Sequence, residues 1–299
     1  MISGNRIVGI EAGADGNGNV VSNNLIGTDV DGGFSIANVV GIRINGGSGN
    51  LLDSNTVSGN GSYGMLLNGA ANNQVLDNLV GTDASGDYAI PNSIGLSIQD
   101  AGGNTVSGNT ISGNTERGVY LSGPTAPGNT FEDNTIGLSA DGTMAVGNGT
   151  GVLIIGSPDN VFRSNVISGN VGVGVYATGG AATNNLFEEN LVGTDASGLI
   201  GLGNGSSGVT LADVRGNTVR GNVISDNGDS GVFVVGGSAS SDLSNLVEEN
   251  FVGTDATGTR DLGNTLMGIR VSSGFGPILR GNVVSGNDNA NVQIDATAS

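Results

Sequence analysis

A glycine followed by an apolar–any–apolar triplet recurs along the entire chain, and its spacing restricts the fold more than any other feature. The marker stands at Gly9, Gly41, Gly64, Gly95, Gly118, Gly151, Gly174, Gly208, Gly231 and Gly268, with Asn291 closing the series. Successive spacings are 32, 23, 31, 23, 33, 23, 34, 23, 37 and 23 residues, so a short unit of fixed length alternates with a longer, variable one. A fixed period of this size is the signature of a solenoid, in which each unit buries its apolar face only against its neighbours.

Each unit carries two further apolar columns. One reads Val21, Leu52, Val75, Val106, Phe131, Phe162, Phe187, Val219, Val247, Leu279; the other reads Ile26, Val57, Val80, Ile111, Ile136, Ile167, Val192, Ile224, Val252, Val284. With the marker triplet this makes three short period-2 strands per unit, rich in β-branched residues. Between the two columns one asparagine repeats as Asn24, Asn55, Asn78, Asn109, Asn134, Asn165, Asn190, Asn222, Asn250 and Asn282. Stacked at the strand spacing, these amides can bond to one another along a ladder. The prediction is an all-β parallel β-solenoid of about ten complete coils, about 48 Å long.

Composition removes several functions. The 299 residues include 57 Gly and no Cys, His, Trp or Lys. Zinc sites of the usual kinds, His-based catalysis and disulfides are therefore excluded. A net charge of −18 argues against nucleic acid or an anionic membrane surface as partner. No apolar run approaches the roughly 20 residues of a membrane span, and Met1-Ile2-Ser3-Gly4-Asn5 does not open a signal peptide.

The coil pattern G-[IVL]-x-[IVL]…N-x-[IVF]-x-x-N-x-[IV]-S-G-N resembles right-handed parallel β-helix proteins of the pectate-lyase-like superfamily. The Ile-Gly-Thr-Asp…Gly-Asn insert of the long coils is similar to repeats of large secreted and surface proteins of bacteria. The resemblance covers residues 1–299 as one β-helix domain with right-handed coils. It implies a secreted or cell-surface setting. That superfamily hosts lyases, hydrolases, epimerases and adhesins, so fold alone does not choose among them. Its lyases use a basic residue to abstract the proton α to a uronate carboxylate, usually with Ca²⁺; its hydrolases gather several Asp with a His, and its epimerases use an acidic motif containing His. Without His or Lys, a lyase here would depend on Arg, and Arg43 and Arg270 are the candidates because neither has an opposite charge in the repeat scheme. A hydrolase working with carboxylates alone is the other enzymatic reading.

Other residue patterns each admit two readings. The long-coil inserts open with Gly-Thr-Asp, and Asp29, Asp31, Asp83, Asp87, Asp195 and Asp255 either close their own turns or supply oxygen ligands to Ca²⁺. Ser139 replaces the aspartate in the third insert. Glu132, Arg163, Glu188, Arg220, Glu248 and Arg280 alternate in sign down one column, as expected of a surface ion-pair ladder, the other reading being that these Arg serve as lyase bases or uronate clamps. Glu132-Asp133, Glu188-Glu189 and Glu248-Glu249 read as solvated corner charge or as a glycosidase pair. Finally, Leu66, Tyr120, Leu153, Tyr176 and Phe233 fall on the outward position of the first strand, where they either form an apolar stripe able to stack sugar rings or meet a neighbouring chain, or lie under the variable loops that follow Tyr120, Tyr176 and Phe233.

The uniformity of the repeat favours a non-catalytic structural or adhesive domain, because an active site would break the pattern locally. The alternative is a lyase or hydrolase acting on acidic polysaccharide. The chain begins and stops in mid-repeat, which reads as a segment of a longer array, or as a unit that associates end to end through its open strand edges.

Overall fold

A computed structural model describes residues 1–236, 244–272 and 276–295. The strands assemble into three parallel sheets, one of 11 strands and two of 10. Consecutive strands of one sheet come from consecutive coils, so the chain winds around a three-sided prism. The first face is built from strands such as Tyr63–Asn68 and Ile94–Gln99, the second from Gln74–Leu76 and Thr105–Ser107, and the third from Leu79–Val80 and Thr110–Ile111. Register follows the expected columns: Val106 pairs with Val75 and Phe131, and Ile111 pairs with Val80 and Ile136. Among the described residues no helix is long and apolar enough to cross a membrane.

The core is one continuous apolar column. Ile42, Met65, Leu96, Val119 and Val152 line it from the first face, and Phe131, Phe162 and Phe187 from the second, all essentially without solvent contact. The three rings stack, with centroids 4.5 Å and 5.3 Å apart and interplanar angles of 4° and 21°. Burying each such ring contributes about 1.5–3 kcal/mol.

Three asparagine ladders run down the prism, where the sequence pattern identified only the series from Asn24 to Asn282. The second runs from Asn19 through Asn50, Asn73, Asn104, Asn129, Asn160, Asn185 and Asn217 to Asn245. The third passes through Asn38, Asn60, Asn92, Asn114, Asn148, Asn170, Asn204, Asn227 and Asn264. At a typical rung the backbone N–H and the side-chain Nδ2 of one Asn donate to Oδ1 of the Asn in the next coil, as Asn78 does to Asn109 at 2.9 Å. The ladders satisfy the corner polar groups that would otherwise be buried unpaired.

The third ladder explains the marker glycine. A Cβ built on Gly64 would lie 2.7 Å from the Gly95 carbonyl oxygen and 2.9 Å from Asn92 Nδ2, so only a hydrogen fits where the ladder passes the strand. Asn60, Asn148 and Asn204 stand in glycosylation-type sequons, yet they are 1% exposed or less and their amides are committed to this ladder.

Candidate functional site

Candidate residues lie on three features of the prism surface. The first is the outward row of the first face. Cα partners place Glu11, Arg43, Leu66, Ser97, Tyr120, Leu153, Tyr176, Thr210, Phe233, Arg270 and Gln293 in one line. Leu66, Tyr120, Leu153, Tyr176 and Phe233 therefore share one face, but as a shallow stripe rather than a cleft, with Leu153 buried and the other four half-buried. Ser97 and Thr210 are buried although they point outward, because each sits between two larger neighbours one strand spacing away. The Arg117 guanidinium lies 5.0 Å from the Tyr120 ring centroid and that of Arg270 5.0 Å from the Phe233 ring. Such contacts are worth about 0.5–1 kcal/mol near solvent.

Arg43 and Arg270 are not the unpaired cations that the repeat scheme predicted. Arg43 donates to Glu11 Oε1 at 2.8 and 2.9 Å, since Glu11 is its register partner in the preceding coil. Arg270 donates to Asp295 Oδ2 at 3.3 and 3.4 Å. Hydrogen bonds from Gln293 and Ser272, outweighing burial, together with Arg270 hold the Asp295 carboxyl below the usual carboxylate range. Aspartate 295 lies just past the end of the strand, outside the row itself, so the repeat pattern did not reveal it.

The second feature is the Glu/Arg column. Arg163 bridges Glu132 at 3.4 Å and Glu188 at 2.9 Å, Arg220 contacts the other oxygen of Glu188, and Arg280 contacts Glu248. Hydrogen bonding from Arg220 outweighs burial and, with Arg163, lowers the Glu188 pKa below its ordinary value. A lowered carboxylate pKa stabilises the fold above the unfolded-state value, and that contribution disappears as pH falls through the folded-state pKa. Glu188→Gln should therefore flatten the acid limb of a thermal-stability profile measured from neutral pH downwards. An acid limb as steep as the parent's would show that the ladder is energetically silent. The expected size is modest, because Arg163 and Arg220 keep 43% and 41% of their side chains in solvent.

The paired carboxylates part company at the corner. Asp77, Asp133, Glu189 and Glu249 follow the strand with φ between 53° and 57° and are exposed, while their neighbours Glu132, Glu188 and Glu248 stay in the ladder. The left-handed backbone turns the second carboxylate away, giving solvated corner charge instead of an acid–base pair.

The third feature is the set of five long-coil inserts. Each is a miniature antiparallel hairpin, with isolated bridges Thr28–Ser35, Thr82–Ala89, Leu138–Ala145, Thr194–Gly201 and Thr254–Asp261. Its aspartate closes the turn. Asp29 Oδ1 accepts the N–H of Gly33 and Phe34, Asp83 Oδ1 those of Asp87 and Tyr88, Asp195 Oδ1 those of Leu199 and Ile200, and Asp255 Oδ1 those of Thr259 and Arg260. In the third insert Ser139 Oγ accepts from Met144 N–H and donates to Asp141. At Asp83 and Asp255 burial raises the pKa, but hydroxyl and backbone donors outweigh it and hold both carboxyls low. These aspartates thus face donors that a cation would have to displace. Asp31 and Asp87 close no turn through a side chain. Among the described residues, no three of His, Cys, Asp and Glu come together as a group able to hold a metal ion.

The inserts also touch each other, which the sequence pattern did not reveal. The N–H groups of Ala84, Ala140, Ala196 and Ala256 donate to the carbonyls of Gly32, Gly86, Gly142 and Gly198 in the preceding insert at 3.2, 3.1, 3.1 and 2.9 Å. They form one continuous ridge over the third face. The Ala that recurs directly after the insert Asp, or after Ser139, is the signal that could have exposed this.

Two concavities lie at the ends of the described solenoid. One of about 430 Å³ is lined by Ile10, Glu11, Ala12, Val21, Ile44 and Leu52, and another of about 190 Å³ by Ile269, Leu279, Arg280, Val284 and Val292. Both are openings of the apolar core, and neither gathers several ionisable groups.

The family described as right handed beta helix region matches residues 33–192. No curated protein matches the chain in sequence. Among solved structures, the T265N mutant of the periplasmic alginate epimerase AlgG is similar over 88% of this chain and 68% of its own, at 13% identity and a TM-score of 0.53. PfbA, a surface adhesin of Streptococcus pneumoniae, aligns over 95% of this chain and 84% of its own, at 12% identity and a TM-score of 0.47. The A-module of the Azotobacter vinelandii mannuronan C-5 epimerase AlgE4 aligns over 93% and 90%, at 14% identity and a TM-score of 0.39. At these identities the likeness speaks for the fold alone.

Proposed function

Since the chain belongs to the right-handed β-helix family, its scaffold is a prism with three long faces, and we propose that it serves as a non-catalytic structural and adhesive module of an extracellular or cell-surface protein. The observation that carries this reading is the unbroken outward register of the first face. Apolar and aromatic side chains recur there on five coils, while the ionisable groups around them pair off coil by coil instead of converging. Rigid aromatic faces at low entropic cost suit the stacking of sugar rings, so carbohydrate is the ligand class we assign to Tyr120, Tyr176 and Phe233. An enzyme acting on acidic polysaccharide would need an uncommitted base or a carboxylic acid held near another. The ion pairs of Arg43 and Arg270 and the diverging carboxylates at the corners weigh against that reading.

The test is retention on a panel of immobilised neutral and acidic polysaccharides, with and without Ca²⁺, with released products followed in parallel. The expected result is retention by at least one polysaccharide, weakened about tenfold by Tyr120→Ala combined with Tyr176→Ala, without new reducing ends. Retention that ignores both substitutions would remove the stripe from the account.

A further inference from the structure

Among the described residues, the insert ridge carries an apolar row far more exposed than the stripe of the first face. One position in each insert is marked by a carbonyl that accepts the N–H of the turn-opening residue, and it is held by Phe34, Tyr88, Met144, Ile200 and Arg260. The first four are 76%, 71%, 47% and 62% exposed. Large apolar side chains repeated in register at such exposure are uncommon on a soluble surface and mark contact sites. The Ala-to-Gly hydrogen bonds between inserts hold the row in a fixed spacing. Equivalent positions repeat every second coil, a step of about 9.6 Å at the usual strand separation.

That step selects among polypeptide ligands. An extended strand returns the same face about every 6.6 Å. A helix returns it every second turn at about 10.5 Å, slipping by about 3 Å over the three steps from Phe34 to Ile200. A polyproline II helix returns it every third residue, about 9.3 Å, and slips by only about 1 Å over the same span. Charge adds a second condition. Asp31, Asp87 and Asp141 lie on the same inserts, exposed or half-exposed, Asp141 while accepting hydrogen bonds from Ser139 and Thr143, and the chain has no Lys. The one cation among these five positions, Arg260, stands at the far end of the row.

We propose that this ridge docks a basic, proline-rich segment of a partner protein in the polyproline II conformation. Every third residue meets one tip from Phe34 to Ile200, and the intervening Arg or Lys side chains meet Asp31, Asp87 and Asp141. The preformed ligand conformation and the hydrogen-bonded ridge both limit the ordering cost of association.

The experiment is calorimetric titration of the protein with a peptide of Pro-Pro-Arg triplets about 12 residues long. A Gly-Gly-Arg peptide of equal length and charge and a neutral oligosaccharide serve as comparisons. The proline peptide should bind at least about tenfold more tightly than the glycine peptide. Phe34→Ser with Tyr88→Ser should abolish that difference, and Tyr120→Ala should leave it unchanged. Because Phe34 and Tyr88 are surface residues, an unaltered thermal midpoint serves to confirm that the double variant is folded. Equal binding of the two peptides would overturn the proposal, as would binding that survives the tip substitutions or a ridge that takes only the oligosaccharide.

Discussion

Gly137→Ala is expected to destabilise the protein by about 3–5 kcal/mol, read as a shift in the urea midpoint at unchanged slope. Gly137 follows the third strand at φ +101°, a backbone conformation that L side chains rarely adopt. A Cβ there would also lie 2.2 Å from the Ser168 carbonyl oxygen and 2.5 Å from Asn170 Oδ1 in the next coil. Strain and collision therefore add, and the colliding atoms are backbone and a ladder amide that cannot move aside. Gly18→Ala separates the two effects, because Gly18 has φ +66° and nothing within 4 Å of a built Cβ. It should cost only about 1–2 kcal/mol. Equal costs at the two sites would mean that coils are not packed as closely at this corner as described.

Asn134→Ala should be comparably damaging, at about 3–5 kcal/mol. Asn134 is 1% exposed. Its Nδ2 donates to Val106 O and Asn165 Oδ1, and its Oδ1 accepts both the backbone N–H and Nδ2 of Asn109. Truncation leaves polar groups of three coils short of partners in a dry interior. Asn134→Asp keeps the acceptor but loses the donor and sets a carboxylate against Asn165 Oδ1. Burial and that oxygen both raise the pKa of the new acid, so its penalty should be full above the folded-state pKa and shrink as pH falls through it. Urea unfolding of the parent and both variants across acid to neutral pH makes the comparison. Alanine costing under about 1 kcal/mol would contradict a ladder role.

The strand columns were readable because a parallel solenoid repeats its register with its sequence: Phe131, Phe162 and Phe187 stack as their spacing demanded. One asparagine ladder was readable for the same reason. The third escaped because Asn60 and Asn114 close Ser-Gly-Asn runs, where an Asn reads as a turn residue, and only the fold brings each under its neighbour. On the first face, sequence placed Leu66 through Phe233 on one row, since outward positions follow directly from period 2. It could not supply depth, which depends on neighbours such as Arg117 over Tyr120. Nor could it supply the exposed row along the ridge. Phe34, Tyr88, Met144 and Ile200 share no residue type and lie outside the strands, where period 2 no longer tells which side a residue takes.

The central claim is that this surface binds without reacting. Incubation with acidic and neutral polysaccharides, with and without Ca²⁺, measured as new reducing ends and as the ultraviolet absorbance of an unsaturated uronate, tests it most directly. The account predicts no product on any substrate. Product that disappears on a single substitution at Arg43, Arg270 or one of the insert aspartates would contradict it and locate an active site.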